Sequence, residues 1–475
     1  MSVPPEEHLP LRIKVGHAFG SVAYGVKDNG FGVLLMLFYN QVLGLDAGIV
    51  GLILLCALLM DALIDPLVGH FSDRTRTRFG KRHPWLYAAI LPMAASWTML
   101  WFPPTDAGTG LYFYLFLFAF LMRASISCYE VPALSVVPAL SADYDERTSI
   151  TRWRLLFAWT GGLVTLVLAF AVFLVPEPGY PVGTLNVNGY QRYGLFGAGA
   201  IIVATLVSSL TTHKRLAHWP DDVPSQLGLK ETFAQIRETL SNRAYLILLG
   251  STFFSFASHG LTLSISAYLL GYFWEMPQTG FIAYSISLFV GVAGALILLG
   301  LLQNHIEKRT GAFIAILSAI AVGATPYILR GLGLFPGNGT PWLIPVLFTL
   351  LAIATGFVTI AMTLKQSMAA DIVEQSQEKT GRRSEGLFFA GYFFVQKCTT
   401  GVGLALSGLI ISLSGFPNQA KPGMVPEPIL NNLAFYYLIV IILCALASAI
   451  IISRFPITRA EHHARVRELA MQKAG

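Results

Sequence analysis

The sequence predicts an all-α membrane protein with twelve transmembrane helices arranged as two six-helix halves. Three observations lead there. Of its 475 residues 54% are hydrophobic and only 12% charged, with a mean hydropathy of +0.61, whereas soluble domains carry about 25% charged residues. Apolar stretches long enough to cross about 30 Å of hydrocarbon at 1.5 Å per residue recur along the chain. Basic residues gather in alternate connections between those stretches, as they do on the retained side of a bilayer.

In order, the first six stretches fall at about Val15–Leu43, Ile49–Phe71, Trp85–Phe102, Leu111–Leu140, Leu155–Val175 and Gly194–Ser209. A polar linker over residues 211–243 follows, and then Tyr245–Phe273, Phe281–Leu302, Ala312–Leu329, Trp342–Ala370, Leu387–Leu413 and Leu433–Ile452. The expected units are an N-terminal bundle (1–210), the linker, a C-terminal bundle (244–455) and a tail (456–475). Within the linker, Leu229, Phe233, Ile236 and Leu240 form one stripe of an amphipathic surface helix. Met1–Pro10 lacks the basic-then-apolar pattern of a cleavable signal, so insertion through the first span is expected.

Orientation comes from the loops. Arg74, Arg76, Arg78, Lys81 and Arg82 follow the second span, and further basic groups occupy Arg147, Arg152, the linker, Lys308, Arg309, Lys379, Arg382, Arg383 and the tail from Arg454. All fall on one side, which places both termini in the cytoplasm of a multi-pass protein of a bacterial-type inner or plasma membrane. The net charge of +6 is thus a matter of topology and not of nucleic-acid affinity. The four cysteines, Cys56, Cys128, Cys398 and Cys444, sit in apolar segments without metal-ligand spacing and read as small packing residues. Polar-basic loops after spans two and eight, and after spans four and ten, suggest parallel six-helix repeats, the arrangement of major facilitator transporters.

Polar residues inside the spans carry the functional reading. Asp61 and Asp65 are four apart in the second span, on a helical face shared with Ala57 and Gly69. Two carboxylates in hydrocarbon cost roughly 2.5–3.5 kcal/mol each on insertion scales. Their mutual repulsion raises one pKa or recruits a cation. The simplest use of such a pair is to bind Na⁺ or H⁺ from an aqueous cavity. Asp28 shares a face with Gly20, Tyr24 and Gly32 in the first span, where it contacts substrate or closes an internal ion pair near Lys27 or Lys397. Arg123 and Glu130 lie seven apart in the fourth span, Arg123 roughly 18 Å from its outer end. They are substrate residues or a structural pair with each other; an inward-facing Arg123 would favour an anionic group. Lys397, deep in the eleventh span, needs a carboxylate partner, for which Asp61 and Asp65 are the candidates, or a depressed pKa. His259 is read as a core histidine, Arg152 as a snorkelling cation, and Arg154, deeper, as either a snorkelling cation or a site residue. The loop from Arg74 to Arg82 is read as a topological anchor and gate latch.

Lys27-Asp28, the stretch from Met60 through Asp61-Ala62-Leu63-Ile64-Asp65-Pro66 to Gly69, and the loop from Arg74 through Gly80-Lys81-Arg82 to Trp85 resemble the glycoside–pentoside–hexuronide:cation symporters. Tyr129-Glu130-Val131-Pro132 with Pro138 is similar to that family's fourth-helix signature, and Lys397 to its eleventh-helix lysine. The resemblance implies a cation site of Asp61, Asp65 (Na⁺ ligands if sodium is the coupling ion), Ser127 and Lys397. It implies sugar contacts at Lys27, Asp28, Glu130 and Arg154, to which the position of Arg123 is added; the gate read from the loop itself comprises Asp73, Arg74, Gly80, Lys81 and Arg82. Leu134 stands where the family's sugar permeases have a tryptophan, Ile126 near a tyrosine position, and Glu130 in place of an aspartate; Arg123 is an added charge. The sodium-dependent lysophosphatidylcholine symporters, of the same superfamily branch, would also suit an apolar fourth helix with an added arginine.

The expected function is therefore symport of a sugar-like solute with Na⁺ or H⁺ by alternating access, in a monomer needing no cofactor beyond the coupling cation. Its partners are a small-molecule substrate, that cation and the bilayer, with no nucleic acid. The rivals are a cation-coupled carrier of a lysophospholipid or other amphiphile, and a membrane receptor or assembly factor. No phosphate loop, nucleophile elbow or metal-ligand cluster favours an enzyme.

Overall fold

A computed structural model describes residues 9–104, 108–141, 143–216, 239–302, 306–380 and 385–457. Of the amphipathic stripe expected in the linker only Leu240 falls within these; Leu229, Phe233 and Ile236 lie outside them, as do the tail beyond residue 457 and Arg382 and Arg383. Among the described residues every named element is helical, and ten helices are long and apolar enough to cross a membrane.

The segment read as the first span is a broken run: α1 (Leu11–Phe19), α2 (Ser21–Asn29), a π turn at Gly30–Leu34, α3 (Leu35–Leu37) and a second π turn at Phe38–Val42. Gly30 permits the break to seat against the Trp97 ring of the third span. Then come α4 (Ala47–Arg74), α5 (His83–Trp101), α6 (Gly110–Leu140), α7 (Tyr144–Leu168) and α8 (Val187–Leu216). After the linker follow α9 (Arg243–Tyr268), α10 (Gln278–Leu302), α11 (Lys308–Gly331), α12 (Leu343–Thr380), α13 (Glu385–Leu413) and α14 (Glu427–Ile452). Several helices outrun their apolar stretches, α7 by eleven residues at its start and α12 by ten at its end. Hydropathy marks where lipid is tolerated, while the backbone keeps its own hydrogen bonds into the polar margin.

Helices up to residue 216 pack mainly on one another: α5 on α6 and α8, α2 on α7 and α8, α4 on α6. So do those after residue 243: α9 on α13 and α14, α12 on α10 and α11. The two sets meet along α4 and α13, with smaller contacts of α9 on the first π turn and of α7 on α10. Small residues make the α4–α13 approach possible. A Cβ on Gly51 would stand 3.1 Å from the Ala405 Cα and from the Leu404 carbonyl oxygen, and one on Gly401 3.1 Å from Leu58.

At the end bearing the loop before α4, polar side chains stitch the sets together. Asn40 Nδ2 donates to Asn418 Oδ1 at 2.9 Å, and Gln41 Nε2 to the Pro417 carbonyl at 3.1 Å. Tyr268 donates to Asn40 Oδ1 at 2.8 Å and Tyr272 to Gln41 Oε1 at 3.3 Å. At the opposite end the basic loop is a tight turn. Gly80 takes φ +83°, a left-handed geometry that suits glycine, and Arg82 donates to the Ser135 carbonyl of α6.

Two outcomes are expected. Gly51→Val should overpack the α4–α13 seam and cost about 1–3 kcal/mol, read as a lower melting temperature in detergent; an unchanged value would refute the close approach. His83, ahead of the apolar part of α5, is pushed down from 6.5 to about 4 by burial and the nearby His213, its Nε2 lying 3.1 Å from Thr212 Oγ1. Between those pH values the unfolded chain binds a proton that the folded chain refuses, so stability falls as pH drops through the window, by up to about 3 kcal/mol. His83→Gln should lose less melting temperature than the parent between pH 7 and pH 4.5; equal losses would contradict this.

Candidate functional site

The site forms where α2, α4, α6 and α7 of the first set face α9 and α13 of the second. Asp61 and Asp65 are one turn apart on α4, on the face that begins with buried Ala57 and ends at Gly69, whose missing Cβ leaves ordinary room for Val131 of α6. Asp61 is 1% exposed, and both its oxygens are engaged. Ser127 donates to Oδ1 at 2.5 Å; Arg123 Nη1 donates to Oδ2 at 3.3 Å. Lys397 Nζ, reaching over from α13, is 3.5 Å from the same Oδ2 and 2.5 Å from Asp65 Oδ2. Asp65 itself is partly exposed, while its Oδ1 is buried without a hydrogen-bond partner.

Lys397 thus meets both of the carboxylates that sequence reasoning offered it. The structural pair of Arg123 with Glu130 does not form. Each finds a partner on a neighbouring helix, because seven residues of helix separate them by roughly 10 Å. Glu130 accepts from Arg154 Nη2 of α7 at 2.5 Å, and Arg154 Nη1 also lies 3.3 Å from His17 Nε2. Arg123 is buried, its guanidinium 4.7 Å from the centre of the Phe31 ring and its Nε without a hydrogen-bond partner. Lys27 is buried over the Tyr24 ring, 4.1 Å from its centre, with Asp28 Oδ1 3.4 Å away. Asp28 is half exposed in mid-segment and within electrostatic reach of His259 on α9. The stripe Arg123, Ser127, Glu130 and Leu134 therefore runs along one face of α6, from two buried residues to an exposed leucine. Of the gate residues, Asp73 and Arg74 are exposed, and Asp73 lies within electrostatic reach of Arg82.

Two buried groups were not singled out from the sequence. Lys365 of α12 is fully buried, its ammonium 2.5 Å from Ser255 Oγ, 3.0 Å from Ser448 Oγ and 3.2 Å from the Ser251 carbonyl. It ties α12 to α9 and α14, and a lone lysine in an apolar span was the available signal. His17 sits beneath Arg154 and near Ser208, and a single histidine near a span's start carries no such signal.

The comparisons with known proteins agree with this architecture. The family described as MFS/sugar transport protein matches residues 16–459. The chain is 25% identical over 430 residues to the glucuronide carrier protein homolog of Escherichia coli (strain K12), covering 90% of this chain and 88% of that one. It is 24% identical over 448 residues to sodium-dependent lysophosphatidylcholine symporter 1 of Gallus gallus, covering 87% and 80%. The solved nucleoside transporter NupG shares the fold with a TM-score of 0.64 at 16% identity, covering 95% of this chain and all of that one. A match running across both helix sets, on a fold shared with major facilitator transporters, makes this a membrane transporter and not an enzyme: the chain belongs to the MFS/sugar transport family.

Proposed function

We propose that the protein couples uptake of a glycoside-like solute to a cation gradient by alternating access, with Asp61 and Asp65 as the coupling pair. The observation that carries this reading is the Lys397 ammonium, 2.5 Å from Asp65 and 3.5 Å from Asp61 although it belongs to the other helix set. An ion pair between two bodies is a connection that charge arriving at the carboxylates can break, and its breaking frees the bodies to move. Substrate then tightens cation binding by the factor that the cation tightens substrate binding. Lys27, Asp28, Glu130 and Arg154 supply donors and acceptors for a solute's hydroxyls or carboxylate. With the basic loops on the cytoplasmic side, the stitched end faces outward, and Asp28 is reached from within.

A second reading is favoured by one observation. Leu134, 52% exposed, ends the α6 stripe one turn beyond Glu130, and an apolar group there suits the chain of an amphiphile such as a lysophospholipid. Thermal stabilisation of the purified protein by a panel of glycosides, glucuronides and lysolipids separates the two; stabilisation by lysolipids alone would replace the sugar reading.

In energised vesicles, Asp61→Asn and Asp65→Asn should each lower uphill accumulation of the stabilising solute by tenfold or more, roughly 1.4 kcal/mol of lost coupling. Accumulation at the parental level by either variant would remove that residue from the coupling pair. Arg154→Met leaves Glu130 without its partner and should weaken solute binding by tenfold or more, measured as the concentration for half-maximal stabilisation.

A further inference from the structure

Asp61 lacks the open coordination that a sodium ion would require. Its Oδ1 is taken by Ser127 at 2.5 Å and its Oδ2 by Arg123 at 3.3 Å and Lys397 at 3.5 Å, in a position 1% exposed. The formal charges balance already: two carboxylates, Asp61 and Asp65, against two cations, Arg123 and Lys397, with the Lys27–Asp28 pair neutral beside them. A sodium ion added while Arg123 and Lys397 are both in place would leave unbalanced positive charge in a low-dielectric interior, where such repulsion is strong, so the negative charge that draws a coupling cation appears only as Lys397 withdraws. Lys397 comes from the other helix set and can leave with it. Arg123 cannot, because it belongs to α6, which packs along α4 in the same set, and its guanidinium is lodged against Phe31.

We propose that Arg123 is the cation-selectivity residue of this transporter: a tethered guanidinium that occupies Asp61 in place of sodium and keeps Na⁺ out of the site. This rests on the coupling role given to Asp61 and Asp65 above. It moves Arg123 from the substrate to the ion side of the cavity. The buried Arg123 Nε without a partner fits a side chain placed for its charge and not for a full set of hydrogen bonds. A neutral side chain at this position leaves Asp61 with Ser127 and a share of Lys397, which is a net negative site with hydroxyl and carboxylate oxygens, the ligand type that hard cations take.

The test uses the purified full chain, with melting temperature followed as NaCl replaces choline chloride at constant ionic strength. The parent should show no sodium-specific stabilisation up to about 100 mM, whereas a ligand of the folded state raises stability as its concentration passes its Kd. Arg123→Leu and Arg123→Gln, purified in sodium, should each gain a saturable sodium-specific shift, half-maximal at a concentration at least tenfold lower than any seen for the parent. Arg123→Lys retains the fixed charge and should remain insensitive. A saturable sodium-specific shift in the parent overturns the inference without recourse to any variant, and so does its absence in both neutral variants. Uptake, by the parent in proteoliposomes, of the glycoside or glucuronide that stabilises it in the panel above separates this from the transport reading. Uptake driven by a sodium gradient sinks the selectivity role and leaves symport standing; no uptake under any cation gradient, with the neutral variants still gaining the sodium shift, sinks sugar symport and leaves the selectivity role standing.

Discussion

The bridge of Lys397 to Asp65 and Asp61 is the interaction on which the arrangement of this protein turns. Neither partner is tolerable alone at that depth. An unpaired lysine or aspartate in a hydrocarbon span is costly, and the cost falls when opposite charges meet in a shared polar pocket. Because the ammonium and the carboxylates sit on helices of different sets, relieving that cost also holds the two sets together. A link of this kind responds to charge, which makes it suitable for a machine driven by an ion gradient.

Around the bridge, two different kinds of contact divide the labour. Along α4 and α13, Gly51, Gly401 and Ala405 let the backbones approach to near contact, so that the short carboxylates of Asp61 and Asp65 come within reach of Lys397. At the far end, Asn40, Gln41, Tyr268 and Tyr272 close the same interface with neutral hydrogen bonds. Such bonds contribute about 1 kcal/mol each net and can be exchanged for water one at a time. A set of exchangeable polar contacts on one side and an ionic clasp in the middle fits a closure that forms and dissolves in each cycle.

The remaining charged groups follow the same rule of local pairing. Glu130 takes Arg154, Lys27 lies against Asp28, and Lys365 is satisfied by serine oxygens alone. The last case shows that a buried cation does not by itself signal an ion pathway. Three neutral acceptors can hold an ammonium where the neighbouring helices bring them into range.

Much of this was legible in the residues taken in order. Spacing placed Asp61 and Asp65 on one face, hydropathy marked the helical segments, and the depth of Lys397 required an acidic partner, because periodicity and burial costs act within a single helix. What could not be read was which charge meets which. A shared face of α6 leaves open both a pair of Arg123 with Glu130 and separate site roles for them; in the fold Arg123 binds Asp61 and Glu130 binds Arg154. Lys365, a lone lysine within an apolar span, likewise finds its acceptors on two other helices. Sequence by itself determined that these charges had to be inside and had to be neutralised; the packing of helices distant in the chain decided by whom, since that depends on distances between helices that no one-dimensional pattern contains.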